Sequence, residues 1–370
     1  MKTKAIFSAF TLFVMMSCGS ANNATNDNDN NKNLEGDSLP RTECPAALND
    51  SAKSFLAGME AQGLDMHSVM IVQHGKVLYE HWQSEGKPDE PHVLNSVSKT
   101  FTSIAVGMAV EEGKIKLEDK LISYFPENLP KTSSKNLEKI TVRDLLTMTC
   151  GHDTDHTGEM QKMDSTINWV SQFLSYPVEH IPGSYYCYNS VGTFMLSAIV
   201  QKVTGQTLDE YLKPRLFEPL AIKNVRWDTN PQGICYGGWG LFLVTEDLAK
   251  VGQLILQKGK WNGKQLISEK WVTEMTGRQT DSRQAGMTAE EMVLAGMTIE
   301  NCDWLQGYGY QMWRCRNNAV RADGARGQYI IVMPDQDAVI SMTSMIENAD
   351  MQKQLNLVWN HLLPALDANK

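Results

Sequence analysis

Residues 94–101 read LNSVSKTF, a serine and a lysine three positions apart inside an otherwise apolar run. Positions i and i+3 of a helix share a face, so Ser96 and Lys99 point the same way if the helix begins at the serine. The residues that follow carry such a helix. Phe101, Ile104, Ala105, Met108 and Ala109 fall on one apolar stripe, and Gly113 ends it. The lysine therefore shares its helix with a buried stripe, close to an N-terminus whose dipole favours developing negative charge. That is a suitable place for an activated hydroxyl. In a chain with this much Ser and Lys, about one S-x-x-K match arises by chance, so the rest of the chain has to decide.

Upstream, Val69 to Val72 and Lys76 to His81 are two β-prone runs around Gln73-His74-Gly75, the pattern of a hairpin. Downstream, from about Phe125 to Trp227, the periodicity is mainly helical, in TVRDLLTM, INWVSQFL and VGTFMLSAIVQKVTG, the last stopping at Gly205. Strand signals return in GYGYQMWRC, GQYIIVM and AVISMTS, the last two joined by Pro334, Asp335, Gln336 and Asp337, and a helix from Met351 to Leu363 closes the chain. Strands at both ends with helices between them predict a mixed α/β (α+β) fold. Its antiparallel sheet is built from the N- and C-terminal segments and flanked by helices, with an inserted all-helical lobe at about 125–227. A functional cleft is expected between the two lobes.

The chain has 370 residues, 42% of them hydrophobic, enough for a large packed core. Lys2 and Lys4 precede an apolar run from Ala5 to Met16 that stops at Ser17-Cys18-Gly19, the layout of an export signal too short to span a bilayer. A cysteine at that junction resembles the lipobox of bacterial lipoproteins, although Met15 stands where Leu is usual. Cys18 is thus the expected lipid attachment point, residues 1–17 the signal peptide, residues 18–43 an Asn- and Asp-rich tether and residues 44–370 the folded domain. This predicts a lipid-anchored protein of the bacterial cell envelope, facing the periplasm or the cell surface, that meets the membrane only through its anchor. Removing the signal takes away Lys2 and Lys4 and no acid, moving the formal charge from −9 to −11, which argues against nucleic acid as a partner.

Six cysteines remain: Cys44, Cys150, Cys187, Cys235, Cys302 and Cys315. They show no CxxC pair, so a zinc site is not expected, and Cys302 with Cys315 is the nearest candidate for a disulfide. HDTDH, residues 152–156, gathers two imidazoles and two carboxylates, but no distant third ligand is signalled, so it reads as a polar loop. No metal and no organic cofactor is expected. There is no G-x-S-x-G elbow, which disfavours an α/β-hydrolase nucleophile.

Read in order, NSVSKTFTSIAVGMAVEEGKI, ITVRDLLTMTCG, IPGSYYCYNSVGTFMLSAIVQKVTG, GGWGLFLVTEDLAKVGQLILQKGKWNGKQLISEKWV and ADGARGQYIIVMPDQDAVI resemble the serine β-lactamase and penicillin-binding superfamily. The resemblance runs from about Cys44 to the C-terminus and points to the class C-like branch, which includes carboxylesterases and D-amino-acid peptidases. It implies a serine β-lactamase-like fold and an acyl-enzyme mechanism in which Ser96 is the nucleophile and Lys99 its proton acceptor. The family's Tyr-x-Asn motif stands here as Tyr188-Asn189-Ser190, making Tyr188 the proton relay and leaving Ser190 where an amide is usual.

The third family motif, commonly Lys-Thr-Gly or His-x-Gly, aligns with Ala322-Asp323-Gly324. The resemblance implies that the backbone amides of Ala325 and Ser96 form the oxyanion hole, with Ser190, Asp323 and Gly324 against the substrate. Alternate residues of a strand share a face, so Arg321 lies on the same side as Asp323, and Arg326 follows the turn. The expectation is that Asp323 dominates locally, disfavouring carboxylate-bearing substrates. The expected activity is hydrolysis of an ester or amide in a small molecule or peptide. The rivals are a D,D-peptidase or β-lactamase, and a silent relative that binds peptide or glycan in the same cleft.

Overall fold

Two apolar faces on each central strand organise the molecule, of which the computed structural model describes residues 37–282 and 296–370. The expected hairpin forms from β1 (Met66–Gln73) and β2 (Lys76–Trp82). From the other end of the chain come β3 (Trp313–Arg314), β4 (Val320–Gly324), β5 (Gln328–Met333) and β6 (Ala338–Ser344). They make one antiparallel sheet in the order β2-β1-β6-β5-β4-β3, so the two ends of the chain meet where β1 pairs with β6. The strand expected over GYGYQMWRC is shorter, covering only Trp313 and Arg314, with isolated bridges at Tyr308.

Because side chains alternate across a strand, β1 and β5 are divided between two cores. Met70, Val72, Ile330 and Val332 join a core shared with the helical lobe. Val69, Ile71, Tyr329 and Ile331 face α1 (Ala46–Ala61) and the C-terminal helices. Residue pairs such as Ile71 with Ile340 and Ile331 with Ile340 fix the register, since a slip of one residue would exchange the two faces.

The apolar stripe after Ser96 becomes α2 (Ser98–Glu111), with Phe101, Ile104 and Ala105 fully buried. The helical lobe contributes α3 (Ser190–Thr204), whose Asn189 cap accepts a hydrogen bond from the Gly192 amide at 2.9 Å. From the sheet side, α4 (Thr245–Leu256) packs on β5 and β6. A small sheet of His92–Val93, Leu241–Leu243 and Arg226–Trp227 ties the end of the lobe to the segment before Ser96.

Three expectations are corrected. The tether does not run to residue 43: Leu39 is buried in the core, and Pro40 and Thr42 exchange backbone hydrogen bonds with Val77. Residues 1–36, with Cys18 and the signal, lie outside the described residues. Cys302 and Cys315 are free thiols, as are the other four described cysteines. The closing helix is not continuous α-helix but runs as Met351–Leu357, a π turn over Val358–Leu362 and Leu363–Ala368. Pro364 has no N–H to donate one turn back, and the backbone widens there.

Candidate active site

Ser96 sits in a 3-10 turn, Asn95–Val97, immediately before α2 rather than at the first residue of the α-helix. Asn95 adopts a left-handed conformation (φ 47°), which a short polar side chain tolerates. The turn is stitched to its surroundings. Leu94 N–H donates to Leu241 O at 2.9 Å, Ser98 Oγ to Asn95 O at 2.6 Å, and Leu241 N–H to Ser98 Oγ at 3.2 Å.

The i, i+3 relation holds, and Lys99 Nζ lies 2.9 Å from Ser96 Oγ. The same nitrogen is 3.1 Å from Ser190 Oγ and 2.8 Å from Gly238 O, with the side chain almost wholly buried. A carbonyl only accepts, so Lys99 donates to Gly238, while either hydroxyl can give or take a proton. A neutral amine, with two donors and one lone pair, fits this shell when it donates to Gly238 and Ser190 and accepts from Ser96. Burial pushes the Lys99 ammonium down to about 7, against the opposing pull of Asp155 and Asp323. Geometry and electrostatics thus agree on an amine free to take a proton near neutral pH.

Tyr188 reaches the same place from the loop that leads into α3. Lys99 Nζ lies 4.8 Å from the centre of its ring, which stacks on Trp313 at 5.5 Å and meets Tyr308 edge-on at 6.2 Å. Burial raises the phenol well above its ordinary value, and a hydrogen bond with Ser96 opposes this only in part. Tyr188 therefore keeps its proton and can serve as a donor or relay, while the amine can serve as a base. Asn189 is turned away as the helix cap, and its Nδ2 lies 3.6 Å from Cys150 Sγ. Ser190, in place of the usual amide, keeps a contact to the lysine through its hydroxyl.

At the sheet, β4 is buried along its whole length and runs against the serine turn. A Cβ on Gly324 would lie 2.3 Å from Leu94 O and 3.2 Å from Val97 N, so only glycine admits this approach. Asn95 Nδ2 donates to Ala325 O at 2.8 Å, fastening the turn after β4 to the serine turn. Ser96 and Ala325, the two residues expected to offer amides, are thereby held on neighbouring segments of backbone.

Asp323 departs from expectation. Arg321 Nε donates to its Oδ2 at 2.7 Å, and their side chains are 0% and 7% exposed. Arg321 also donates to Asp303 O, Arg314 O and Cys315 Sγ and lies over the Trp304 ring. Burial pushes the Asp323 carboxyl up against the pull of Arg321. What borders the site is thus a fixed ion pair, and Asp323 does not act as a lone negative charge. Arg326 points elsewhere, its guanidinium on Met345 Sδ and its amide on Asn348.

Sequence reasoning missed Gly238. Gly238 supplies a lysine acceptor, and a Cβ there would sit 2.8 Å from Ser190 O; the close-packed glycines of GGWG were the available signal. Asp155 lies in HDTDH, whose residues diverge: His152 contacts Cys150 Sγ, Asp153 pairs with His180, and His156 bonds Glu159.

A family model described as Beta-lactamase matches residues 52–361. The 6-aminohexanoate-dimer hydrolase of Paenarthrobacter ureafaciens is 27% identical over 323 residues, covering 81% of this chain and 78% of that protein. A putative D-alanyl-D-alanine carboxypeptidase of Salmonella schwarzengrund is 24% identical over 250 residues, 52% of this chain and 57% of that one. Among solved structures, a putative 6-aminohexanoate-dimer hydrolase from Bacillus anthracis superposes with a TM-score of 0.66 at 20% identity, covering 90% of this chain and 87% of that chain.

Proposed function

The chain belongs to the Beta-lactamase family and is a serine hydrolase of ester or amide bonds, and on that premise we propose that Ser96 is its nucleophile, Lys99 its base and Tyr188 its proton relay. The observation that carries this reading is the lysine shell: Nζ at 2.9 Å from Ser96 Oγ, with Ser190 and Gly238 taking its other contacts. Ser96 Oγ attacks the substrate carbonyl as its proton passes to Lys99. The oxyanion is received by the amides of Ser96 and Ala325. The proton returns through Tyr188 to the departing amine or alcohol, and water admitted to the same place releases the acyl group by the reverse transfers.

The reading extends to substrate and location. Ala322 stands where a cation would meet a substrate carboxylate, and the neighbouring Arg321 is consumed by Asp323. This supports a small ester or amide with no required carboxylate over a penicillin or cell-wall peptide. The basic residues, apolar run and Ser17-Cys18 junction at the N-terminus support a lipid-anchored envelope protein.

The test is the intact mass of the purified protein after a fluorophosphonate and, separately, a penicillin. Addition by the fluorophosphonate alone, lost in Ser96→Ala, is the expected result. Addition by both would favour the D,D-peptidase or β-lactamase reading, and addition by neither would favour a silent binding protein.

A further inference from the structure

We propose that Met148 is a positioning residue for Tyr188, its carbonyl and its thioether together fixing the backbone on either side of the tyrosine so that the phenol meets the leaving group. This deepens the reading above and rests on Tyr188 as proton relay.

The backbone itself singles out the position. A left-handed φ suits glycine and short polar residues, and most of the non-glycine residues that adopt it in this chain are exposed. Among the described non-glycine residues only Met148 (φ 61°) and Gln311 (φ 62°) do so while buried, at 1% and 2% exposure. Neither side chain favours that conformation, so the surrounding structure holds both residues in it.

Two bonds give the strain at Met148 a use. Cys187 N–H donates to the Met148 carbonyl at 2.9 Å, and Asn189 N–H donates to Met148 Sδ at 3.2 Å. Tyr188 is the one residue between them, so a single methionine grips the chain immediately before and after the relay. Rotation about φ carries both the carbonyl and the side chain, and it sets how they leave the preceding helix. The side chain also lies in a cluster with Tyr186, Tyr308 and Trp313. Leucine would fill nearly the same volume there, so packing alone does not call for sulfur, a weak acceptor that the Asn189 amide uses.

Gln311 secures the other side of this grip. Its backbone N–H donates to Leu146 O at 3.1 Å and its Nε2 to Leu145 O and Leu146 O at 3.0 Å each, fixing the end of the short helix Val142–Leu146 that presents Met148. Its own carbonyl accepts from Thr100 Oγ at 3.2 Å, beside Lys99 on α2. Two residues further on, Trp313 stacks on the Tyr188 ring. The base, the ring of the relay and the backbone of the relay are thereby tied to one another through two left-handed residues.

The experiment measures kcat/KM for esters of one acid whose leaving groups grow more basic, from nitrophenyl to phenyl to trifluoroethyl. A basic leaving group needs the proton from Tyr188, and a nitrophenolate does not. Met148→Leu keeps the bulk and the carbonyl and removes the acceptor. It should slow the trifluoroethyl ester roughly 10-fold more than the nitrophenyl ester, the same direction as Tyr188→Phe. Combined with Tyr188→Phe it should cost nothing further, because both changes act on one group. Should Met148→Leu fold poorly, Met148→Asn decides. It sets an oxygen as many bonds from Cα as the sulfur and suits the left-handed backbone, so it should keep the wild-type dependence on the leaving group even as Tm falls. Wild-type dependence in Met148→Leu, an additive effect in the double variant, or the Tyr188→Phe pattern in Met148→Asn overturns the proposal. A Tyr188→Phe variant that slows every ester alike would instead remove the relay reading and this proposal with it.

Discussion

Lys99 links the pH dependence of the chemistry to that of the fold. The base must be neutral, so kcat/KM for an uncharged aryl ester should rise with pH through about 7 and level above it. A profile flat from pH 5 to pH 9 would contradict the assignment. Lys99→Ala or Tyr188→Phe should slow acylation by about a hundredfold or more, while Ser96→Ala should remove labelling. The same group weighs on stability. The unfolded chain holds the lysine proton up to about 10.5 and the folded chain only up to about 7, so folding releases a proton in that window. Its burden on stability therefore grows as pH falls from 10.5 toward 7 and is constant below. Lys99→Met should accordingly raise Tm relative to wild type most at pH 7 and least near pH 10, in an inactive protein. Asp323 behaves differently. Asp323→Thr strands the buried Arg321 guanidinium, a loss on the order of 3–5 kcal/mol, where an exposed pair would lose less than about 1 kcal/mol. Chemical denaturation should register that loss, and the substitution should not create a preference for β-lactams.

The site is assembled from element ends. The 3-10 turn before α2 brings Ser96, the N-terminus of α3 brings Tyr188 and Ser190, and the end of β4 brings Gly324 and Ala325. Their spacing is enforced by backbone contact, which tolerates no added atom. Gly324→Ala drives a methyl against Leu94 O, which the paired backbone at Leu94 cannot readily yield to. The expected result is a loss of about 1–3 kcal/mol together with a fall in kcat larger than that in KM for the aryl ester. Unchanged kcat with lowered stability would mean that the approach of β4 serves packing alone. Gln311 has a related place between elements, donating to Leu145 O and Leu146 O and accepting from Thr193 Oγ.

On the scale of the whole molecule, the sheet that joins the chain's ends also separates two cores, one under α1 and the C-terminal helices and one shared with the helical lobe. The lobe and the sheet are therefore packed as one body around Lys99. The anchor proposed at Cys18 stands apart in sequence from the catalytic residues proposed above, the first of which is Ser96. Cys18→Ala should release the protein from the membrane fraction or block its maturation while leaving kcat/KM of the folded domain unaltered. Equal membrane retention of this variant would refute the lipid anchor.

The hairpin, the strands over GQYIIVM and AVISMTS, the helical middle and the Ser96–Lys99 pair were legible in the order of residues, because each is set by local periodicity or by a spacing of three on one helix, whereas β4 entered only through the family motif at Ala322-Asp323-Gly324. Tyr188 and the amides of Ser96 and Ala325 came from resemblance, since residues distant in sequence leave no periodic signal of their meeting. The fate of Asp323 was decided only in three dimensions. Alternation put Arg321 on its face, but whether the arginine turned to the carboxylate or to the cleft depended on Asp303 O, Arg314 O and Cys315 Sγ waiting behind it. The same holds for Gly238, whose part depends on a carbonyl delivered by a loop. Loop direction is set by the surfaces the loop packs on, and those surfaces exist only once the chain has folded.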